Sequence, residues 1–541
     1  PLTELITKYN INFTINNSSN NPIENAKVSL DGEDDQQTDS NGMVTFSKED
    51  GTYNYSVTAS GYVDISNNSL TINGTALTET VTMQEAPPAG YTGIYDWEDL
   101  DNIRNDLYGE YILMNDLNSN NIGYDNLASS SANGGLGWLP IGNYDNNFRG
   151  KFDGNGFIIY ELNINRPDEE YIGLFGYGYS AELVNIKVDS LTITGQKYLG
   201  GIIGDNHNGT IDNCIVTGSI TGTSLIGGIV GYSDSLIKNS SFNGQITGVA
   251  GEEDISAIGG IIGHSNQGEL NSNSTNITII VDGFCEDIGG IAGYNYGNIT
   301  SNNSVITMNI TSNSGRKYGG LVGHNNGTIT SSYAEGTIDI TSSGGYWYGG
   351  LVGQNQKTIN NSYSSVNITG NNQVGGLVGL NQYGSINKSY SRGIVSGNKW
   401  VGGLIGYNRG NATNSYSTSD ATGSFAIGGL IGLNEGSSGY DIENCYSIGN
   451  PSGDGSVGGL VGYNDNKKIY NSFTMFSPAI GFNNSPSPDT TVFEISSSEM
   501  KTQSTFTDVN WDFTNIWNIN EDSTSPYLKN NIQDPLPGQN L

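Results

Sequence analysis

The chain has 541 residues, among them 77 Gly, 32 Tyr and 13 Pro, and only 14% are charged. This is not the Ala-, Leu-, Glu- and Lys-rich profile of a helical protein, Gly does not fall at every third position as in collagen, and aromatic and β-branched residues are too abundant for a disordered chain. Fifty-four acids against 21 bases give a formal net charge of −33, which argues against nucleic acid and anionic membrane as partners and would attract divalent cations.

Residues 1–86 read as a small β-sandwich. Alternating stretches at Ile11–Ile15, Ala26–Leu30, Met43–Phe46, Tyr53–Ala59 and Leu77–Met83 are separated by Asn21-Pro22, Asp31-Gly32 and Asn41-Gly42. Pro22, Ala26 and Val28, then Thr38-Asp39 with Gly42, then Gly51, Tyr53, Ala59, Gly61 and Tyr62, resemble the carboxypeptidase regulatory-like family. The resemblance implies a transthyretin-type sandwich that acts as a spacer or stalk. Asp31, Glu33, Asp34 and Asp35 are the weak Ca²⁺ candidates. They lack the spacing of a Ca²⁺-binding helix-loop-helix and read first as a solvated acidic loop. No other cofactor is expected. Residues 1–15 are a candidate strand for exchange with another copy of the chain. Residues 87–90, with Pro87-Pro88, form a stiff linker.

Residues 91–170 lead into a repeat. Asp96 is a candidate N-cap for a short helix bearing Trp97, Leu100, Ile103 and Leu107, which should pack near the first coil. Over residues 171–486 a phrase such as Gly200-Gly201-Ile202-Ile203-Gly204 returns eleven times, its second glycines 26 to 32 residues apart. A second phrase follows each time, as in Asn361-Ser362-Tyr363 or Asn414-Ser415-Tyr416, and then a short β-branched stretch. Three short strands and three turns per coil predict an all-β, right-handed parallel β-helix with coils about 4.8 Å apart. Leucine-rich, ankyrin, tetratricopeptide and propeller repeats all demand other spacings or helices.

The glycines are expected to allow close approach between coils and turns of positive φ. Asn206, Asn295, Asn325, Asn355, Asn381, Asn408, Asn434 and Asn464 should hydrogen-bond from coil to coil, and Tyr333, Tyr363, Tyr390, Tyr416, Tyr446 and Phe473 should stack. Stacking on carbohydrate is the alternative use of the same rings. The phrases Gly376-Leu377-Val378-Gly379 and Gly403-Leu404-Ile405-Gly406 resemble the GLUG motif, and Trp138–Gly142, Phe148–Gly156, Glu499–Gln503, Trp511–Phe513 and Ser525–Leu528 resemble the usual flanks of such regions. That resemblance implies a non-catalytic, adhesin-like surface protein, the motif also occurring in the non-catalytic regions of bacterial immunoglobulin A1 metallopeptidases. Their zinc-binding motif has no counterpart here. Residues 487–541 form a C-terminal cap and tail, in which Trp511, Phe513, Ile516 and Trp517 should cover the open end of the stack.

Signals for chemistry are weak. Lys388, Arg392, Lys399 and Arg409 form the nearest basic cluster, and Asp212, Glu252, Glu253, Asp254, Glu286 and Asp287 lie mostly in turns without an acid/base pair. His264 and His324 sit two coils apart, roughly 10 Å, too far to share one metal. Cys214 and Cys445 are eight coils apart, and Cys285 is a candidate intermolecular thiol. Asn12, Asn73, Asn276, Asn298, Asn309, Asn326, Asn367 and Asn411 head Asn-x-Ser/Thr sequons and are glycosylation candidates. No apolar run reaches the roughly 18 residues of a membrane helix, and a start at Pro1 suggests a processed, exported chain. The expected function is a non-catalytic extracellular element for adhesion or display, whose partner is a cell-surface glycan or protein. Alternatives are a self-assembling subunit of a filament, sheath or surface layer and, less favoured, a polysaccharide-acting enzyme.

Overall fold

The computed structural model describes residues 7–250, 255–311, 315–341, 344–436, 441–465, 467–484, 490–531 and 533–539. Glu252, Glu253, Asp254 and residues 1–6 of the exchange candidate lie outside them. The chain divides into two compact units, Pro1–Gly93 and Ile94–Leu541.

In the first unit, strands β1 (Tyr9–Asn17), β2 (Lys27–Leu30), β3 (Gln36–Gln37), β4 (Met43–Lys48), β5 (Gly51–Thr58), β6 (Ile65–Ile72) and β7 (Leu77–Met83) form two sheets, ordered β4-β1-β7 and β3-β2-β5-β6. Period-2 alternation turns Ile11, Phe13, Ile15, Val28, Phe46 and Val57 into one shared core. Strand β6 escapes the sequence reading because it buries only Leu70 and Ile72 at its far end. The Thr38-Asp39 motif has clear work. The buried Thr38 hydroxyl donates to Ile23 O and accepts from Ala26 N–H, while the Asp39 carboxylate accepts from Asn41 and Met43 N–H. Residues 9–15 of the exchange candidate are the central strand of their own sheet, paired to β4 on one side and β7 on the other.

The second unit is a parallel β-solenoid built from three sheets. One coil shows the plan. Tyr346–Gly349 lies in the longest sheet, Val352–Asn355 in a second, Thr358–Asn360 in a third, and Tyr363–Thr369 returns to the longest. This coil therefore has four strand segments rather than three, two of them in one sheet, and from Asn372 on the returning strand is split in two, as at Tyr390–Ser391 and Ile394–Ser396. Leu351, Val352, Ile359, Val366 and Ile368 point inward and are buried. Among the described residues the second sheet has 12 strands, which at one coil per strand gives a stack of roughly 50 Å. At its start, the helix Trp97–Asn102 is capped by the Asp96 carboxylate, which accepts from Asp99 N–H, and Trp97 packs on Trp138 and Tyr124.

The glycine phrase is a corner, not a strand. A Cβ on Gly350 would lie 2.1 Å from the Gly376 carbonyl of the next coil, and one on Gly376 would lie 2.0 Å from that of Gly403. Glycine is needed there for approach alone. The expected positive φ falls elsewhere: on Asn361 (54°), Lys388 (50°) and Asn414 (48°) at one turn, and on Lys317 (62°), Trp347 (70°) and Trp400 (57°) just before the glycines. Asn tolerates that conformation. Lys and Trp do so because coils on both sides hold the backbone in register.

The C-terminal segment also departs from expectation. Val492–Glu494 adds a last strand to the longest sheet, beside Ser472–Thr474. The chain then runs back along the flank of the solenoid instead of closing its end. Met500, Phe506, Trp511, Trp517 and Leu528 pack over Tyr390, Tyr416, Tyr446 and Phe473. Farther back, Asn531 Nδ2 donates to the carbonyls of Ser362 and Lys388, both at 3.2 Å, and the Arg392 guanidinium donates to Asp534 O.

Candidate functional site

The predicted tyrosines do stack. Ring centroids lie 4.8 Å apart for Tyr333–Tyr363, 5.0 Å for Tyr363–Tyr390 and Tyr390–Tyr416, and 4.9 Å for Tyr416–Tyr446. Phe473 continues the column in register and stacks on Phe493. Tyr390, Tyr416, Tyr446 and Phe473 are buried under the C-terminal segment, so this part of the column cannot stack on carbohydrate. The asparagines from Asn295 onward form an internal column, whereas the Asn206 side chain, which meets Ser233 in the next coil, makes no such bond. Asn295, Asn325, Asn355, Asn381, Asn408 and Asn434 each donate Nδ2–H to the Oδ1 of the next, at 2.8–3.0 Å.

A third column, facing outward yet largely covered, with Asp205 and His324 buried, escapes the sequence reading. The residue after the last glycine of the phrase points outward, and in successive coils it is Tyr177, Asp205, Tyr232, His264, Tyr294 and His324. At the Asp205 rung the ring comes from His207. Neighbouring centroids are 5.5, 5.5, 5.1, 4.9 and 4.4 Å apart from Tyr177 through His207 to His324. The changing residue type hides the column. Its only signal is a ring or a charge at one fixed offset from the glycines. His264 and His324 are thus separated by Tyr294 and share no ligand.

Two charged clusters flank this column. His207 lies 3.1 Å from both Asp205 and Asp234. The hydrogen bond to Asp205 is the main reason its pKa is pushed up to about 9, and burial opposes that shift. Lys317 lies 3.0 Å from Glu286 and 3.2 Å from Asp287, and Arg316 pairs with Glu286. Burial raises Asp287 to about 7 against the pull of Lys317. Burial also works against the Glu286 carboxylate, but hydrogen bonds from Arg316 and Lys317 outweigh it and hold its pKa below the usual range. Burial lowers His264 to about 4, and burial with the nearby Lys317 charge lowers His324 to about 3.

Other candidates are dispersed. The Ca²⁺ loop does not converge: Asp31 accepts from Asn54, Glu33 pairs with Lys48 at 3.1 Å, and Asp35 pairs with Lys27 at 3.2 Å. Among the described residues no group of three or more His, Cys, Asp or Glu could hold a metal ion. Lys388 occupies a turn, Lys399 begins a strand beside Asn372, Arg409 lies over Tyr407, and Arg392 is tied to the C-terminal segment. Cys214, Cys285 and Cys445 are all fully buried. Burial pushes the Cys214 and Cys445 thiols up to about 12. The proposed intermolecular bond through Cys285 is excluded by that burial, since a partner thiol could not reach its sulfur. Asn73, Asn276, Asn298, Asn309 and Asn367 are exposed, whereas Asn12, Asn326 and Asn411 are half-buried. Asn326 Nδ2 donates to the Tyr294 hydroxyl at 2.6 Å and Asn411 Oδ1 accepts from Asp441 N–H, so both are engaged. Among the described residues no helix is long and apolar enough to cross a membrane.

The GLUG motif family matches residues 195–221, 222–247 and 315–341. These repeats are GLUG coils. Three curated proteins are similar to parts of the chain: halomucin of Haloquadratum walsbyi (32% identity over 31% of this chain and 2% of that protein), a protein named as a Gly-rich membrane protein of Evansella cellulosilytica (39% over 22% and 13%) and an immunoglobulin A1 protease of Streptococcus sanguinis (32% over 30% and 8%). The matched stretches thus span 2% to 13% of these relatives. A solved IgA1 protease chain aligns over 79% of this chain and 31% of its own, at 13% identity and a TM-score of 0.29.

Proposed function

We propose that this GLUG-repeat solenoid is a non-catalytic structural element of an exported, surface-displayed protein. The observation that carries the reading is the architecture: an internal asparagine column and an aromatic column partly covered by the C-terminal segment run from coil to coil, in a chain of strongly acidic net charge. Such a stack resists unfolding from its middle, because each coil is held by both neighbours. A formal charge of −33 keeps it hydrated and apart from like-charged copies. The names of the relatives, a halomucin and a Gly-rich membrane protein, support a surface setting, and adhesion or display is the role proposed for it. The charged clusters supply no nucleophile with an adjacent base and an open reacting position, which is why catalysis is not part of the proposal.

Electron microscopy with light scattering on the purified chain tests the reading. Isolated particles of constant size, with and without Ca²⁺, support a display element. Ordered polymers would replace it with a self-assembling subunit of a filament or surface layer.

A further inference from the structure

We propose that a groove at the start of the solenoid binds a neutral oligosaccharide. This names a partner class for the display role above and rests on that role only for its biological setting. The groove has a volume of about 470 Å³, and its lining includes Leu139, Pro140, Asn143, Glu169, Glu170 and Tyr171.

Here the repeat breaks. Between Arg166 and Glu170 the strand register slips against Gly195 and Lys197, pushing Pro167, Asp168 and Glu169 outward. Such bulges re-aim side chains beside binding sites. The bulge is held from beneath. Arg166 is buried, its Nε donates to Trp138 O at 3.0 Å, and its Nη1 donates to both Glu169 oxygens at 2.9 and 3.2 Å. A second guanidinium, Arg104, lies over the Trp138 ring and donates to Asp101, Pro140 O and Leu139 O. These two cations are turned to the protein, the exposed Arg149 lies outside the lining over Tyr108 and Tyr179, and the exposed carboxylates Glu169 and Glu170 set the sign of the lining.

One lining residue, Tyr171, is aromatic, and a second ring stands beside the groove: Tyr144 is 65% exposed, with its ring 6.5 Å from Tyr171 and 5.4 Å from Tyr177. Tyr171 stacks on Tyr198 at 4.7 Å. Leu139 adds exposed apolar surface to the lining, whereas Tyr108 and Tyr179 lie outside it and carry the Arg149 guanidinium over their rings at 5.9 and 5.0 Å.

A pyranose suits this chemistry. Its C–H face packs on a phenol ring, and its hydroxyls donate to carboxylates and accept from Asn amides. Anionic sugars would meet Glu169, Glu170 and the acidic field. A peptide strand would need a free backbone edge, but the rim backbone is already bonded: Ile141 N–H to Leu174 O, Asn143 N–H to Asn146 O and Gly176 N–H to Ile141 O.

The test is a calorimetric titration of the full chain with cellohexaose, chitohexaose, hexagalacturonate and tetralysine. The expected result is a Kd of about 1 mM or tighter for at least one neutral hexasaccharide and no heat from hexagalacturonate. Tyr144→Ala and Glu170→Gln should each weaken binding about tenfold, while Tyr333→Ala on the other aromatic column should not. Thermal melting of each variant confirms folding, which the exposure of Tyr144 makes safe. Silence from both neutral sugars at about 5 mM, binding that survives Tyr144→Ala, or a response to tetralysine alone would overturn the proposal. Polymerisation in the microscope would overturn the display role but not sugar binding, so the two failures are distinct.

Discussion

At the scale of residues, the asparagine column is the most testable feature. Asn355 Nδ2 donates to Lys357 O and Asn381 Oδ1, both at 2.9 Å, and its Oδ1 accepts from Asn325. Asn355→Leu keeps the number of side-chain heavy atoms but leaves a buried donor and a buried acceptor unmade, at a cost of about 2–4 kcal/mol. Serine already occupies this position at Ser233 and Ser265, where the Ser233 hydroxyl donates to Asn206 O. Asn355→Ser should therefore cost less than Asn355→Leu. Urea unfolding at constant m-value measures both, and equal losses would show that hydrogen bonding across coils is not the reason for Asn. Gly350→Ala places a methyl 2.1 Å from a fixed carbonyl and 2.2 Å from Ser364 Oγ, a clash that should cost about 2–3 kcal/mol. The column and the glycines were legible because one residue type recurs at one offset. The left-handed turns before the glycines were not, because Lys317, Trp347 and Trp400 share nothing but their backbone. The outer column from Tyr177 to His324 was missed for the same reason.

At the scale of elements, the repeat predicted its own strands well, since an inward-facing residue must recur in every coil. The C-terminal segment has no such periodicity. Its aromatic content showed that it covers something, and the sequence offered no sign whether that was the end of the stack or its flank. The structure gives the flank, and this has a consequence. Removing residues 496–541 should leave the strand signal in far-ultraviolet circular dichroism nearly unchanged, yet uncover Tyr390, Tyr416, Tyr446 and Phe473. Strong binding of an apolar dye and loss of solubility are expected. Trp511→Ala is a milder form of the same experiment. It removes a ring packed on Phe473 and Phe506, worth about 3 kcal/mol of docking, and should raise protease cutting within the segment before the coils are touched. Unchanged proteolysis would mean that the segment is held mainly by Asn531 and its backbone contacts.

For the solenoid as a whole, the outer column links stability to pH. The pKa values of His264 and His324 fall to about 4 and 3 on folding, below the ordinary 6.5. Both rings are neutral in the folded state, while the unfolded chain takes up their protons below about 6.5. Their stabilisation is therefore complete above 6.5 and is lost as pH falls toward the folded values. Asp287 acts in the opposite direction. Its folded pKa of about 7 lies above the ordinary 3.8, so its contribution is complete below 3.8 and lost as pH rises through 7. His207, raised to about 9, contributes fully below 6.5 and loses that contribution as pH rises through 9. These opposing groups place the stability maximum near neutrality. Replacing both His264 and His324 with Gln, the residue already found at position 354 of the same column, removes two protons from the unfolded state's advantage between pH 5 and 6.5. The slope of unfolding free energy against pH in that window should drop by about 2 kcal/mol per unit relative to the parent chain, allowing for partial exposure of the rings. The arm above pH 7 should keep its shape, because His207 is untouched. Parallel slopes for parent and variant between pH 5 and 6.5 would mean that the two histidines are protonated in the folded state after all, and that the column tolerates charge where the packing indicates neutral rings.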